Sequence, residues 1–214
     1  MQTQKWKNQY VMFDLQKLNN DIWYWENTLS APEKIVDFIN NLDKESLSYS
    51  RIPQWKTWTA SDNDNVVYGA NKMIWKDSRK NSTGNEKIDQ YTLYIINSLE
   101  MAAEFCYERY MDDHNLDKNK YILDLSHLPI RRWDESSKMG PHSDSSYSFP
   151  KLAYTVITYI NDDYEGGEIN FPENSIILKP KAGSSIMFPA SIIHEVKTVI
   201  SGHRYMSTNS INMI

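Results

Sequence analysis

The chain has 214 residues, of which 40% are hydrophobic and 13% aromatic, so it suits one folded domain, with two small ones as the alternative, and a disordered chain is excluded. Its net charge of -5 and pI near 5.5 argue against a general phosphate-binding surface, although a local basic groove needs no basic total. The single cysteine, Cys106, excludes an internal disulfide and is typical of a reducing compartment.

No segment of the sequence has the pattern of a targeting or membrane element. The N-terminal stretch MQTQKWKNQY is too polar for the apolar core of a secretory signal. No later run reaches the apolar length of a membrane span. We therefore expect a soluble, cytoplasmic protein that makes no membrane contact.

Two amphipathic helices are predicted in the first half of the chain. The segment LSAPEKIVDFINNL carries a capping box, with Ser30 as N-cap, Glu33 three residues later and Pro32 in the first turn. A longer helix is predicted from about Lys87 to Asp112, with Cys106 on its apolar face. Between them, residues 78–87 have the composition of an exposed loop.

The pattern changes at about Tyr121, where short runs rich in Ile, Val, Thr, Tyr and Phe begin. Turn signals such as Gly166-Gly167 and Ser201-Gly202 separate these runs. Many short strands at this spacing predict an antiparallel sandwich, barrel or jelly roll. We predict one α+β domain over residues 1–214, with a mainly helical support region at 1–120 and a β-core at 121–214.

A histidine and an aspartate lie two residues apart in the polar segment MGPHSDSS. In an extended chain such side chains point the same way, so His142 and Asp144 can face one cavity. His194 lies in a later predicted strand, SIIHEVKTV. Two imidazoles and one carboxylate on one face of a metal, with the opposite positions open, form the facial triad of non-haem Fe(II) oxygenases. Each residue alone is more often structural, so this hypothesis depends on the combination.

Arg204 follows His194 after the Ser201-Gly202 turn. A two-residue hairpin would place the strand of Arg204 alongside the strand of His194. A guanidinium group facing the same cavity can bind a carboxylate through two parallel hydrogen bonds. A dicarboxylic cosubstrate could then chelate iron at one end and contact Arg204 at the other.

These segments resemble the 2-oxoglutarate- and Fe(II)-dependent dioxygenases, specifically the prolyl 4-hydroxylase-like branch. The matching segments are PHSD, YTVITYINDDYEGGEINFP, LKPKAGSSIMFPAS and IHEVKTVISGHRYMSTNSI, over roughly residues 125–213, with a weaker match at TLSAPEKIVDFI. The resemblance implies a double-stranded β-helix core, jelly-roll or cupin-like, with N-terminal helices packed against it. It also implies that His142, Asp144 and His194 bind iron and that Arg204 holds the distal carboxylate of 2-oxoglutarate.

Three further positions are assigned from the resemblance. Thr158, in VITYIN, falls where several members place a hydroxyl-bearing residue against the same carboxylate. Tyr154, four residues earlier on the same strand face, is a weaker cosubstrate candidate. Trp133 stands where many members have a tyrosine near the substrate mouth, so one contact of the family lacks its phenolic hydroxyl here.

The resemblance implies an iron-dependent dioxygenase that uses 2-oxoglutarate as cosubstrate, dioxygen, and ascorbate as reductant. The cosubstrate chelates the metal, and the reaction releases succinate and carbon dioxide while hydroxylating an unactivated C–H bond. A proline in a protein or peptide is the first substrate hypothesis. The alternatives are a free amino acid, a small metabolite or a nucleobase, although the acidic balance disfavours nucleic acid. A non-catalytic jelly-roll binding module is the third hypothesis.

The remaining residues of chemical interest are predicted to be structural. His203 should face away from Arg204, and His114 and His127 lie outside the metal pattern. Cys106 is expected in the core, and Asp162-Asp163 is read as a turn rather than a catalytic pair.

Overall fold

A computed structural model describes residues 14–45, 56–57, 67–74, 86–126, 128–145 and 149–214. His127 and most of the predicted loop at 78–87 lie outside the described residues. The helices are α1 (Pro32–Glu45) and α2 (Glu86–Asp113). The strands are β1 (Leu15–Lys17), β2 (Trp23–Trp25), β3 (Lys56–Thr57), β4 (Val67–Ile74), β5 (Tyr121–Asp124), β6 (Pro129–His142), β7 (Leu152–Tyr159), β8 (Glu165–Gly166), β9 (Ile169–Phe171), β10 (Ile176–Leu178), β11 (Ser185–Pro189), β12 (His194–Val196), β13 (Val199–Ser201) and β14 (Arg204–Met213).

Both helices lie where the apolar periodicity predicts them. Helix α1 begins at Pro32, which suits proline because its missing N–H is not needed in the first turn. Helix α2 differs from the predicted bounds by one residue at each end. Its apolar face is fully buried at Ile95, Ala102 and Cys106, so the prediction that Cys106 belongs to the core is confirmed.

The strands form one curled sheet, in the order β1-β2-β11-β7-β14-β6-β12-β9-β10. Strand β5 extends it beside β14, β4 pairs with β6 and β3, and β8 and β13 form a separate two-stranded ribbon. The long strand β6 turns the sheet into a jelly-roll-like core, because its first half pairs with β14 and its last residues pair with β12. The predicted fold class is therefore confirmed.

The strand of Arg204 does not lie beside the strand of His194, contrary to the hairpin prediction. Strand β14 pairs with β5, β6 and β7, whereas β12 pairs with β6 and β9. Both residues instead meet β6, where Arg204 is opposite Trp133 and His194 is opposite His142. Strand β14 is ten residues long and pairs with three strands, whereas β12 has only three residues. A hairpin with β12 would therefore leave most of β14 unpaired.

The two faces of the sheet have different roles. On β7, Ile157 and Tyr159 point into the jelly roll, where they pack in an apolar cluster with Trp133 and Met206. Alternate residues point to the other face, where Val156 packs with residues of α2. Because side chains alternate along a strand, this assigns every other residue of β7 to the interior.

The first 120 residues contribute strands as well as helices. Strand β2 joins the main sheet through β11, with Tyr24 in the interior cluster and its neighbours Trp23 and Trp25 against α2. The expectation of a mainly helical support region is incomplete because it omits β1 to β4. Over the residues that are described, neither helix has an apolar stretch long enough to cross a membrane.

Candidate active site

Three side chains with metal-binding groups converge where β6 and β12 meet. His142 is the last residue of β6, His194 is the first of β12, and the two face each other across the ladder. Asp144 follows His142 by two residues, in the loop after β6. One ligand atom from each of the three lies within 4.8 Å of the others. These three side chains are therefore close enough together to bind one metal ion.

Both histidines present the same ring nitrogen to this point. The Nδ1 atoms of His142 and His194 face the carbonyl oxygens of Gly140 and Ile192, at 2.9 and 3.0 Å. A neutral ring that donates from Nδ1 leaves Nε2 with a lone pair. The Nε2 atoms lie 3.5 and 3.8 Å from the oxygens of Asp144. A backbone partner on the far nitrogen is the arrangement that orients a metal-binding histidine.

Asp144 is held as an ionised, oriented carboxylate. Thr155 of β7 donates a hydrogen bond from Oγ1 to Asp144 Oδ2 at 2.5 Å. The backbone N–H of Ser145 donates to the carbonyl of Ala190, which fixes the loop. Burial raises the pKa of Asp144, but the hydrogen bond with His142, the charge of His194 and the Thr155 hydroxyl together lower it to about 2. The carboxylate is therefore charged at neutral pH.

The site has an apolar wall beside His194. The rings of Phe188 and Phe171 have centroids 4.8 and 6.0 Å from the His194 ring. Burial lowers the pKa of His194, although the charge of Asp144 opposes the shift. The imidazole is therefore neutral at pH 7 and its Nε2 can accept a metal. Two imidazoles and one carboxylate fit Fe(II) by donor type.

Arg204 is a fully buried, charged side chain in the interior of the jelly roll. Its side chain has no solvent exposure. The Nη1 atom donates to the sulfur of Met206 at 2.8 Å, whereas Nε and Nη2 have no hydrogen-bond partner among the described residues. Its guanidinium carbon lies 5.1 and 5.6 Å from the ring centres of Tyr159 and Trp133. A buried guanidinium group with unused donors is the complement of a carboxylate.

Two tyrosine hydroxyl groups add to this set of donors. The buried hydroxyls of Tyr159 and Tyr164 have no acceptor among the described residues. Burial raises the pKa of both tyrosines, and the nearby charge of Arg204 opposes that rise. The site needs glycine at position 167, where φ is +65° and a Cβ atom would lie 3.0 Å from Arg204 Cδ and from the Tyr164 ring.

Thr158, Tyr154 and Trp133 lie at positions that differ from those expected from the sequence. Thr158 points to the helix-facing side of β7, where its hydroxyl lies 2.9 Å from Ser185 Oγ. Tyr154 lies on the same side and packs against the ring of Tyr110. Both lie on the helix-facing side of β7, because the interior positions of this strand are the odd-numbered ones, Ile157 and Tyr159 among them. Trp133 is in the interior but only 1% exposed, so it lines the Arg204 site rather than the mouth.

His203, His114 and the acidic pair lie away from this site. His203 is exposed and its Nδ1 lies 2.8 Å from Asp134. His114 stacks on Tyr110 at the end of α2. Asp163 accepts a hydrogen bond from Asn161 in the connection between β7 and β8.

The sequence prediction missed Thr155, Tyr159 and Tyr164. A signal for the first two was present, because Thr155, Ile157 and Tyr159 alternate on one face of a predicted strand. Which of the two alternating sets faces the interior depends on the sheet's packing and not on the pattern of β7 alone. For Tyr164, in an irregular connection, no local pattern was available.

A jelly-roll core with two histidines and a carboxylate at its open end is the architecture of non-haem Fe(II) oxygenases, and the protein is an oxygenase enzyme of this class. A model of the "2OG-Fe(II) oxygenase superfamily" matches residues 128–212, so this part of the chain is similar to that superfamily. Members of the superfamily use Fe(II), 2-oxoglutarate and dioxygen.

Curated relatives with similar sequences carry the name PKHD-type hydroxylase. The protein from Rippkaea orientalis is 27% identical over 157 residues, which cover 68% of this chain and 71% of the relative. One from Synechococcus is 27% identical over 141 residues, which cover 62% of this chain and 64% of the relative. One from Acaryochloris marina is 30% identical over 92 residues, 41% of this chain and 42% of the relative. The match thus spans less than two thirds of the latter two proteins.

Solved structures share the fold at lower sequence identity. A Trichoplax adhaerens prolyl hydroxylase in complex with a hypoxia inducible factor peptide fragment has a TM-score of 0.64 and 15% identity, covering 92% of this chain and 86% of that chain. A Pseudomonas putida prolyl-4-hydroxylase has a TM-score of 0.58 and 13% identity, covering 92% and 96%. These similarities support the jelly-roll assignment.

Proposed function

We propose that His142, Asp144 and His194 hold the Fe(II) of a 2-oxoglutarate-dependent hydroxylase. The donor set, the outward Nε2 atoms and the charged carboxylate support this assignment. Bound iron with its cosubstrate supplies the oxidising chemistry, and the protein supplies orientation and exclusion of water. The apolar rings of Phe171 and Phe188 exclude water on the His194 side.

The observation that carries the proposal is the buried Arg204 with its unused donors. Beyond their interaction with one another, four polar groups lack partners among the described residues: Arg204 Nε and Nη2 and the hydroxyls of Tyr159 and Tyr164. All are hydrogen-bond donors, so an anionic acceptor satisfies them together. We assign them to the distal carboxylate of 2-oxoglutarate. A buried cation without a neighbouring anion costs on the order of several kcal/mol in folding free energy. A bound dicarboxylate offsets this cost.

The reaction we assign is hydroxylation of a proline in a peptide or protein, with release of succinate and carbon dioxide. Support comes from relatives named PKHD-type hydroxylases and from fold neighbours that are prolyl hydroxylases, one of them bound to a peptide. Ascorbate is assigned as the reductant that keeps the iron in the Fe(II) state between turnovers.

The test is a succinate assay with Fe(II), 2-oxoglutarate, ascorbate and dioxygen over a panel of proline-containing peptides. Mass spectrometry should show the gain of one oxygen atom on proline. Free amino acids and small metabolites form the second arm, and a product there without one on any peptide would assign the same chemistry to a small substrate. The absence of succinate in every arm, together with no iron-dependent binding of 2-oxoglutarate, would overturn the enzyme assignment.

Arg204→Met separates the two parts of the proposed site. We expect 2-oxoglutarate affinity to fall roughly tenfold to a hundredfold, because a hydrogen bond to a charged group is typically worth about 1.5–3 kcal/mol. Metal affinity, measured by calorimetry with Fe(II) under anaerobic conditions, should stay within about twofold of the wild type, whereas His194→Ala should abolish it. An unchanged cosubstrate affinity in Arg204→Met refutes the role of Arg204.

A further inference from the structure

A polar cavity of about 180 Å³ lies next to the candidate metal site. Its lining includes Asp124, Leu128, Pro129, Arg131, Thr208 and Ser210. None of these residues belongs to the set assigned to iron or 2-oxoglutarate above. The cavity combines a cation, a carboxylate and two hydroxyls, so it is built to bind a polar group.

Strand register places the cavity beside the metal ligands. Ser210 of β14 pairs with Asp124 of β5 on one side and with Thr155 of β7 on the other. Thr155 donates to Asp144, the candidate metal ligand. Because neighbouring strands are about 4.8 Å apart, Asp124 lies roughly 10 Å from Thr155 across this row. The cavity therefore lies within about 10 Å of the residue that contacts Asp144, which is within reach of an extended peptide.

Arg131 connects the cavity with the interior. It lies two residues before Trp133 on β6 and opposite Met206, so it shares their interior face. Burial lowers its pKa to about 10, with the charge of Asp144 opposing and that of Arg204 adding to the shift. Arg131 is partly exposed and lines the cavity.

The charges of the site favour a neutral ligand that offers both an acceptor and a donor. With the proposed iron and 2-oxoglutarate bound, the dication and the dianion cancel. The positive charges of Arg204 and Arg131 then balance the negative charges of Asp144 and Asp124, so the net charge of the site is zero. A main-chain amide group fits this balance, since its carbonyl oxygen accepts and its N–H donates.

The cavity lining on β14 is Thr208 to Ser210, and the strand face that carries it is longer than the cavity, which favours a peptide over a single amino acid. The interior face of β14 continues from Met206 past Thr208 and Ser210 to Asn212, which pairs with Ile122 of β5. At about 3.3 Å per residue, this face is roughly 20 Å long, the length of about six extended residues. Ile122 is 57% exposed at its far end, where it can cover an apolar side chain of a bound segment.

We propose that this cavity binds the main chain of the peptide substrate, with Arg131 donating to a carbonyl oxygen next to the residue presented to iron. The proposal rests on the proposed peptide hydroxylase function. It makes Arg131 a substrate-positioning residue that contacts neither the metal nor 2-oxoglutarate.

The test uses an amide-blocked peptide library with a central proline, incubated anaerobically with the full chain, Fe(II) and 2-oxoglutarate so that no turnover occurs. Wild type, Arg131→Met and Arg131→Lys are compared, with Arg109→Met on α2 as a matched control because its exposed guanidinium pairs only with Asp113 in the described part of the chain. Retained peptides are identified by mass spectrometry, and their affinities are then measured singly.

We expect Arg131→Met to weaken peptide binding roughly tenfold to a hundredfold and Arg131→Lys to restore part of it. The affinity for 2-oxoglutarate and the folded fraction by circular dichroism should match the wild type. Equal peptide affinity in wild type and Arg131→Met overturns the proposal. So does a larger loss of affinity for 2-oxoglutarate than for the peptide. If wild type retains no peptide but forms succinate with a small substrate, the cavity proposal fails while the oxygenase chemistry stands.

Discussion

Asp144 shows how one side chain is prepared for metal binding by its neighbours. Its two oxygens are not equivalent, because Oδ2 accepts from Thr155 while Oδ1 lies nearer to Nε2 of His142. A hydroxyl on one oxygen fixes the carboxylate plane and directs the other oxygen toward the metal position. Thr155 is thus a positioning residue for the candidate iron site.

Replacing Thr155 with valine keeps the shape of the side chain and removes the hydroxyl. We expect metal affinity to fall roughly tenfold, since loss of a group that orients a metal ligand typically costs ten- to a hundredfold. Thr158→Val is the control, because its hydroxyl bonds to Ser185 on the opposite face of the same strand. It should change neither metal nor 2-oxoglutarate affinity. Calorimetry with Mn(II) measures both, and equal metal affinities in the two variants would contradict the role of Thr155.

Among the structural elements, the connection from β8 to β9 shapes the Arg204 site. Gly166 and Gly167 both have positive φ, of +69° and +65°. At Gly167 the backbone passes so close to Arg204 and Tyr164 that a side chain would displace them. Gly167 is therefore required by the packing around Arg204, the proposed carboxylate-binding residue, as well as by the turn.

Gly167→Ala tests this close approach. We expect a stability loss of about 1–2 kcal/mol from left-handed backbone strain and, separately, a lower 2-oxoglutarate affinity as Arg204 shifts. Gly183→Ala is matched in strain, with φ of +75° and a Cβ position 2.9 Å from the carbonyl of Leu29. It should lose stability by denaturant titration yet keep its cosubstrate affinity. If the two variants bind 2-oxoglutarate equally well, Gly167 serves the turn alone.

For the whole molecule, the interior charges connect ligand binding with stability. Arg204 is buried with donors that lack a partner among the described residues, and the ionised Asp144 lies beside the neutral imidazole of His194. Ligands that bind the folded state alone stabilise it by mass action. The free energy of unfolding should therefore rise in two steps, first with the metal and then with 2-oxoglutarate.

At a hundredfold excess over Kd, each ligand should add about 2.7 kcal/mol, or roughly 5–10 °C in Tm for a chain of this length. Differential scanning fluorimetry with Mn(II), then with Mn(II) and 2-oxoglutarate, measures both increments, and EDTA should reverse them. Arg204→Met should keep the metal increment and lose most of the second. A 2-oxoglutarate increment of the same size without metal would contradict the joint site.

Local sequence patterns were enough to predict the two helices, the succession of strands after Tyr121 and the combination of His142, Asp144, His194 and Arg204. These follow from local periodicity, turn residues and the spacing of a few polar side chains, all of which are properties of short segments. The strand β2 was missed because three consecutive aromatic residues, Trp23 to Trp25, have no alternation to read.

The inward face of each strand and the neighbours of each strand became known from the three-dimensional structure and not from local sequence. A shift of one residue moves every side chain of a strand to the other face, so Thr158 faces the helices and Tyr159 faces Arg204. Likewise, β6 brings His194 and Arg204 to one interior by pairing with both of their strands. These choices depend on long-range pairing and burial, which the pattern of a single segment does not contain.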